Sequence, residues 1–218
     1  MDEQTRQTKE RAIWEKLAAG YDSRTLPVYQ HAYDLSIEKT IAVISPEQQV
    51  LEIGCGTGII SLGIAAEAGK VTGTDISPQM IDVAKRKAED AAVANVEFQV
   101  CDGYSQPFED DTFDTVLIFN TLQALKEPAT MLAEARRLLK PGGHLVTATD
   151  CYGEPAPFSV RLRLGVQRLM KWLGVIPFMS YFTEDDLRWL IEEAGFTVME
   201  TDMLHAAPVN YYLLACKK

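Results

Sequence analysis

The chain alternates short apolar runs with amphipathic segments from residue 49 onward. Runs rich in Val, Ile, Leu and Phe predict strands, and segments with apolar residues every three or four positions predict helices. Such alternation is typical of βαβ units, in which helices cover both faces of a parallel sheet. The pattern predicts strands at 49–53, 70–75, 96–100, 113–119, 142–149, 196–203 and 209–216, and helices at 59–67, 78–93, 128–139 and 184–194.

The last two predicted strands are joined only by Ala206-Ala207-Pro208. A parallel pair needs a crossover connection of about a dozen residues or more, so the final strand is expected to run antiparallel. The expected fold class is therefore α/β. We expect a Rossmann-like, seven-stranded, mostly parallel sheet with an antiparallel last strand and helices on both faces.

Two segments are expected to be additions to this core. Residues 5–18 and 28–44 predict two helices before the first strand, and Pro27 precedes the second of them. Residues 151–182 interrupt the alternation with an amphipathic stretch that has one apolar and one basic face. We expect a single domain over 1–218, divided into a helical cap (1–45), a cofactor-binding core (46–150), a lid inserted before the last helix (151–182) and the final helix with a β-hairpin (183–218).

The stretch VLEIGCGTG at 50–58 predicts a strand, a tight turn and the start of a helix. Its glycines, Gly54, Gly56 and Gly58, suit a backbone with positive φ or one that a ligand approaches closely. The following helix presents free N–H groups at its N-terminus. A nucleotide-like cofactor is the first hypothesis for this turn.

The glycine pattern helps to separate two cofactors. A dinucleotide fingerprint, G-x-G-x-x-G, needs a third glycine at position 59, where the chain has Ile59. Glu52 stands just before the turn, and its carboxylate would repel a pyrophosphate but suit an ammonium or sulfonium group. These two residues favour S-adenosylmethionine (SAM) over NAD. Asp75 ends the second strand, where a carboxylate can accept hydrogen bonds from two ribose hydroxyls.

Composition excludes several other classes. The 218 residues carry a formal net charge of −10, which argues against a broad duplex-binding surface, and no nucleic-acid partner is expected. The four cysteines form no C-x-x-C pair, so no metal site is expected, and reduced thiols favour a cytoplasmic location. We expect neither a signal peptide nor a membrane-spanning helix.

Four motifs together resemble class I SAM-dependent methyltransferases, and within them the small-molecule branch that includes ubiquinone and menaquinone biosynthesis methyltransferases. The motifs are VLEIGCGTG at 50–58, VTGTDIS at 71–77, CDGYSQPFEDDTFDTVLIFN at 101–120 and LLKPGGHLV at 138–146. The resemblance covers roughly residues 45–150. It implies SAM as the cofactor, bound by the core at 46–150, and methyl transfer to a small, partly apolar acceptor by in-line displacement.

The resemblance also implies roles for single residues. Glu52 would reach the methionine amino group, Gly54 and Gly56 would let the backbone approach the methionine portion, and Asp75 would hold the ribose. Asp102 would bond the adenine amino group, although a plain turn residue is an alternative. The other expected cofactor contacts are Tyr21, Cys55, Gly58, Ile76 and Met80 against adenine, Gly103, and Asn120 near the methionine portion. Met80 is equally compatible with core packing.

The methyl acceptor is less well marked. His31, Asp150 and His205 are candidates for a general base, and Tyr21, Tyr29, Tyr152 and Tyr181 for the wall of an acceptor pocket. Many relatives carry a histidine pair after the fourth strand, where this chain has Asn120-Thr121-Leu122-Gln123. The N-P-P-Y motif of nucleic-acid amino methyltransferases is also absent at this point, which disfavours a nucleobase acceptor.

Alternatives remain at the level of function. A quinone-type C-methyltransferase could work at a membrane surface and touch anionic lipid through the basic face of residues 158–173, although a lid or a dimer contact also explains that stretch. An NAD-dependent oxidoreductase and a non-catalytic SAM-binding protein are the other two hypotheses.

Overall fold

The computed structural model describes residues 3–155, residue 165 and residues 178–218. In these ranges seven strands form one sheet in the order β3-β2-β1-β4-β5-β7-β6. All neighbouring pairs are parallel except β5–β7 and β6–β7, which confirms the antiparallel last strand. The strands are β1 (Gln49–Ile53), β2 (Lys70–Asp75), β3 (Val96–Val100), β4 (Phe113–Phe119), β5 (Leu139–Cys151), β6 (Phe196–Ala206) and β7 (Val209–Lys217).

Helices cover both faces of the sheet, as expected. They are α1 (Glu3–Ala18), α2 (Tyr21–Ile41), α3 (Ile59–Gly63), α4 (Pro78–Asp90), α5 (Pro128–Leu138) and α6 (Glu184–Glu193). Successive residues of each strand point to opposite faces, so β1 places Val50 in one apolar core with α3 and α4, and Leu51 and Ile53 in another with α5 and α6. The sheet therefore separates two cores of comparable size.

The helix starts follow from capping chemistry. Ser77 is the N-cap of α4, its hydroxyl accepts a hydrogen bond from Met80 N at 3.3 Å, and Pro78 stands at the first helical position. Thr183 and Asp186 form a capping box at the start of α6. Both caps lie next to the sheet edge at which the parallel strands end.

Several predicted boundaries were displaced by a few residues, and two predicted helices differ more clearly from the structure. The second helix was expected at 28–44 behind Pro27, but α2 begins at Tyr21 and contains Pro27. Proline removes one intrahelical hydrogen bond, but the hydrogen bonds that Asp22 accepts from Thr57 and Lys87 hold the first turn in place. The helix expected at 59–67 is a short α3 followed by a separate 3-10 turn at Ala65–Glu67.

The cap expected at 1–45 corresponds to α1 and α2. The first of these helices packs against α4, and the second against α3 and β6. Most of the lid expected at 151–182, including the basic face at 158–173, lies outside the described residues apart from Gly165. The division into cap, core and lid stays a prediction. None of the described helices combines the length and the apolar character that crossing a bilayer requires.

Candidate cofactor and acceptor site

Polar side chains stand in a row along the edge where the parallel strands end. Ligands of open α/β sheets bind at this edge, next to the point where the strand order reverses. Here the reversal falls between β1 and β4. Following the sheet order, the row consists of Asp102 after β3, Asp75 on β2, Glu52 on β1, Asn120 after β4, Asp150 on β5 and Asn210 on β7.

A cavity of about 960 Å³, open to solvent on one side, lies over the reversal point. Eleven of the twelve residues expected to contact the cofactor line it, namely Tyr21, Glu52, Gly54, Cys55, Gly56, Asp75, Ile76, Met80, Asp102, Gly103 and Asn120. Gly58 is not among the lining residues. A volume of this size is in the range of small-molecule and cofactor sites.

The three glycines of the turn do different things. Each has a positive φ, of 78° at Gly54, 52° at Gly56 and 76° at Gly58. A Cβ on Gly56 would meet nothing within 4 Å, whereas a Cβ on Gly58 would stand 2.7 Å from the ring of Phe98. Gly56 therefore borders open space at the cavity, and Gly58 is required for packing of the turn against the sheet and α4.

The Glu52 carboxylate is buried next to the cavity, with only 2% of the residue exposed. Its Oε2 accepts hydrogen bonds from the backbone N–H of Ser61 at 3.0 Å and from the Ser61 hydroxyl. Burial raises the pKa of Glu52 to about 7, and these two hydrogen bonds limit the rise. A cation placed beside this carboxylate would restore its charge.

Asp75 and Asp102 are oriented by backbone N–H groups. Asp75 accepts from Gly56 N at 3.0 Å and from Ser77 N at 2.9 Å, while burial raises its pKa. Asp102 accepts from Tyr104 N at 3.2 Å in a local turn. Since each bond comes from a neighbouring loop, both carboxylates are held in defined positions at the ends of their strands.

The N-terminal helices close one side of the cavity. Trp14, Tyr21 and Tyr33 line it from α1 and α2. Asp22 accepts hydrogen bonds from the Thr57 hydroxyl in the glycine turn and from Lys87 Nζ, at 2.9 Å, in α4. Sequence reasoning missed Trp14, Tyr33 and this Asp22 contact, because the partners are distant in the chain. Tyr21, which was expected to contact the cofactor, was the one local signal for this side of the cavity.

A second polar cluster adjoins the cavity on the β5 side. Asp150 is 5% exposed, and it accepts from Asn210 Nδ2 at 2.8 Å, from the Tyr152 hydroxyl at 2.9 Å and from Tyr29 at 3.4 Å. Burial raises the pKa of Asp150 above its usual value, and the hydrogen-bond donors together with the nearby His205 limit this rise. Sequence reasoning missed Asn210, which only the β5–β7 register brings to Asp150.

The other two candidate bases lie elsewhere. The His31 side chain is exposed on α2 and does not line the cavity. The ring of His205 stacks at a tilt on Tyr29, with 5.4 Å between centroids, and its Nδ1 lies 2.9 Å from the carbonyl oxygen of Pro208. The structure thus brings Asp150 and His205 together through Tyr29 and keeps His31 apart. In the described ranges no group of three or more His, Cys, Asp or Glu residues could hold a metal ion.

Comparisons with known proteins identify the family to which the chain belongs. A family described as "Methyltransferase domain" matches residues 51–147. A demethylmenaquinone methyltransferase of Tropheryma whipplei (strain Twist) is 30% identical over 85% of this chain and 82% of its own length. The chain belongs to the SAM-dependent methyltransferase family. A ubiquinone biosynthesis O-methyltransferase of Cereibacter sphaeroides (strain ATCC 17023) is also 30% identical, over 75% of this chain and 66% of its own length.

Solved structures show the same fold. A SAM-dependent methyltransferase from Aquifex aeolicus superposes with a TM-score of 0.71 over 92% of this chain and 98% of that chain, at 19% identity. Together with the family match and the named relatives, this fold shows that the methyltransferase described here is an enzyme that takes its methyl group from SAM.

The cavity of this methyltransferase fits SAM. Its described lining contains three carboxylates, Glu52, Asp75 and Asp102, and no Lys, Arg or His. SAM carries an ammonium and a sulfonium group, which such a lining favours and which a dinucleotide pyrophosphate lacks. The open space above Gly56 allows a ligand to approach the backbone. These features support SAM over the NAD alternative.

Proposed function

We propose that this methyltransferase acts on a small, partly apolar acceptor of the quinol type. Bound SAM supplies an activated methyl group on its sulfonium sulfur. The observation that carries the proposal is the junction of two clusters at Asn120, which lines the cavity and is hydrogen-bonded through Asn210 to the cluster around Asp150. One cluster suits a cationic cofactor, and the other offers tyrosines and a carboxylate to an acceptor hydroxyl.

In the proposal each carboxylate of the cavity has one task. Glu52 holds the ammonium group of the methionine portion, Asp75 accepts from the two ribose hydroxyls, and Asp102 accepts from the adenine amino group. The Gly103 N–H donates to an adenine ring nitrogen, while Ile76 and Met80 pack beside the base. The order of these residues across β1, β2 and β3 supports an extended cofactor lying along the sheet edge.

The residues of the cap would exclude water and align the acceptor. Trp14, Tyr21 and Tyr33 cover the cavity from one side. Orientation of two reactants contributes on the order of 7–11 kcal/mol to a displacement of this kind, so no strong base is required. An acceptor hydroxyl that must lose a proton could pass it to the Asp150 cluster, which we propose as the base region in preference to the exposed His31.

The acceptor class rests on the relatives and on the cluster. The two relatives are named for demethylmenaquinone and for ubiquinone biosynthesis. Tyr152 and Tyr181 stand edge to face, with 6.2 Å between ring centroids, beside Asp150. Aromatic side chains with hydroxyls suit a flat ring with polar substituents. We propose transfer to a ring carbon or ring hydroxyl of such an acceptor.

Labelled SAM provides the test. We expect label to pass to a naphthoquinol or catechol with a short side chain, and thermal unfolding to shift upward with S-adenosylhomocysteine by some 5–10 °C at 100-fold saturation. NAD at the same concentration should cause no shift. Stabilisation by NAD alone would overturn the proposed cofactor, and a shift with S-adenosylhomocysteine without any methylated quinol would overturn the proposed acceptor.

We propose a cytoplasmic location, which the four free cysteines support. A quinone-type acceptor would itself reside in a membrane, so contact of residues 158–173 with an anionic surface remains an alternative to a lid or dimer contact. Co-sedimentation with vesicles rich in anionic lipid distinguishes them. Absence of binding at low salt would exclude the membrane contact.

A further inference from the structure

Three polar side chains form a chain of hydrogen bonds from the cavity wall into the sheet. Asn210 Nδ2 lies 2.8 Å from Asn120 Oδ1 and 2.8 Å from Asp150 Oδ1. Asn210 is 1% exposed and Asp150 5% exposed, whereas Asn120 lines the cavity. We call these three residues the amide chain. It joins β4, β5 and β7, which are neighbours in the sheet.

The chemistry of Asp150 sets the direction of these hydrogen bonds. The oxygen and nitrogen of an amide have nearly the same shape, so their orientation follows from the surrounding donors and acceptors. The Tyr152 hydroxyl donates to Asp150, which therefore acts as the acceptor of its cluster. A carboxylate only accepts, so Asn210 must turn its NH2 group toward it. The second hydrogen of that NH2 group then needs an acceptor, which orients Asn120 Oδ1 toward Asn210.

The Asn120 NH2 group is consequently directed away from the amide chain. Within residues 3–155, 165 and 178–218, no hydrogen-bond acceptor meets Asn120 Nδ2. This nitrogen is also absent from the buried polar atoms that lack a partner in those ranges, so it is open to the cavity. The backbone of Asn120 has a φ of 49°, and its N–H donates to Ala148 O at 2.7 Å. Hydrogen bonds therefore fix both the backbone of Asn120 and the oxygen of its side chain.

The position of Asn120 indicates what its N–H groups meet. The next residue, Thr121, packs on Gly54, whose Cβ would collide with the Thr121 side chain. Asn120 therefore stands at the Glu52 end of the cavity, which we assign to the amino-acid portion of SAM. That portion carries a carboxylate, and the described lining offers it no Lys, Arg or His. The Asn120 amide is a neutral N–H donor that can meet this carboxylate.

We propose that Asp150 and Asn210 are positioning residues that turn the Asn120 N–H groups toward the carboxylate of the methionine portion. This inference rests on the proposed cofactor site. It assigns to the amide chain a role in cofactor affinity, in addition to its place beside the acceptor. The sheet interior thereby determines which polarity the cavity wall presents.

The decisive variant exchanges the two inner side chains, as the double substitution Asp150→Asn with Asn210→Asp. Net charge, volume and the number of hydrogen bonds are kept, because Asn at 150 can still accept from Tyr152 and donate to position 210. The carboxylate at 210 would now accept from Asn120 Nδ2. Asn120 Oδ1 would then face the cavity. The amide chain would keep the same kinds of atoms, but its hydrogen bonds would run in the opposite direction.

Isothermal titration with two ligands measures the result. S-adenosylhomocysteine carries the methionine-type carboxylate, and 5′-methylthioadenosine lacks the whole amino-acid portion. We expect the exchange variant to bind S-adenosylhomocysteine at least 10-fold more weakly and 5′-methylthioadenosine within 2-fold of the original chain. Unchanged affinity for both ligands, or equal weakening of both, would overturn the proposal.

A second variant decides the question if the exchange variant does not fold. Asn120→Gly removes the amide and suits the positive φ at this position. We expect it to lose 5- to 10-fold in affinity for S-adenosylhomocysteine alone, and an unchanged affinity would again overturn the proposal. Failure of the original chain to bind S-adenosylhomocysteine would instead contradict the proposed cofactor site.

Discussion

The two halves of the sheet edge are built in different ways. On the side of β1, β2 and β3, which we call the cofactor half, most of the residues from the sheet that line the cavity follow a strand end by a few positions, as Gly54 and Gly56 follow β1. On the side of β4, β5 and β7, the contacts join residues far apart, such as Tyr29 with Asp150 and Asn120 with Asn210. A common cofactor can be served by a local motif, whereas an acceptor site must be assembled from several parts of the fold.

The largest expected effect concerns the glycine turn of the cofactor half. Gly58→Ala should destabilise the protein by about 2–5 kcal/mol, since it adds a strained backbone to a collision with Phe98. Gly142→Ala is the matched control, because Gly142 has the same φ of 76° and open space at its Cβ. For the control, urea unfolding should show a loss of only about 1–2 kcal/mol in the free energy of unfolding. Equal losses would show that packing on Phe98 does not constrain the turn.

The next effect concerns the buried carboxylate of Glu52. Its replacement should raise the stability of the free protein and lower the affinity for the cofactor. The Glu52 pKa of about 7 lies above its usual value, so between about pH 4.5 and 7 the folded state keeps a proton that the unfolded chain has lost. The free energy of unfolding therefore falls as pH rises through this window. Glu52→Gln should remove that fall and stabilise the free protein at pH 8 by up to about 3 kcal/mol.

The same substitution should weaken cofactor binding. We expect the affinity of the original chain for S-adenosylhomocysteine to rise from pH 6 to 7.5 as Glu52 ionises, and the affinity of the Gln variant to stay low and flat. Denaturant melts and titrations at a series of pH values measure both quantities. If the Gln variant bound as tightly as the original chain at pH 7.5, the Glu52 carboxylate would not contribute to cofactor binding.

Asp75→Ala tests the ribose contact. The loss of charge-assisted hydrogen bonds should weaken S-adenosylhomocysteine binding by roughly 1.5–3 kcal/mol. Asp82→Ala, on the exposed face of α4, is the control and should bind like the original chain. Titration calorimetry on the folded variants would contradict the role of Asp75 if the two variants had the same affinity.

The smallest expected effect concerns the contact of the cap with the cofactor half. Asp22→Asn removes a partly exposed ion pair with Lys87 and weakens the hydrogen bond from the Thr57 hydroxyl. We expect a loss of about 1 kcal/mol in stability and a faster release of S-adenosylhomocysteine in stopped-flow experiments. Asp82→Asn is a suitable control for the change of charge. An unchanged release rate would show that the cap does not restrain the ligand.

The same contrast explains what the sequence could predict. Apolar periodicity located all seven strands, because each strand is a continuous local pattern. The antiparallel end of the sheet was predicted from the short connection at 206–208, which leaves no room for a crossover helix. The turn at 50–58 and the carboxylates at strand ends were found because sheet topology places them together. Eleven of the twelve expected cofactor residues line the cavity, although their contacts with SAM remain a prediction.

The rest depends on contacts that local pattern does not contain. Pro27 suggested that the second helix starts after it. The helix begins instead at Tyr21, because the hydrogen bond that Asp22 accepts from Thr57 stabilises its first turn. Asn210 carries no motif, and only its register with Asp150 across β5 and β7 reveals its place. Gly58 belongs to the glycine motif, yet the neighbouring Phe98 explains it as a packing residue. Each of these features depends on neighbours that are distant in the chain, as does the proposed acceptor side around Asp150.

The central claim is that SAM lies along the β3, β2, β1 and β4 part of the edge and leaves the β5 and β7 part to the acceptor. A crystal structure of the complex with S-adenosylhomocysteine tests it most directly. We predict adenine beside Asp102, ribose on Asp75 and the amino-acid portion between Glu52 and Asn120. Adenosine bound instead against Asp150 and Asn210 would contradict the account.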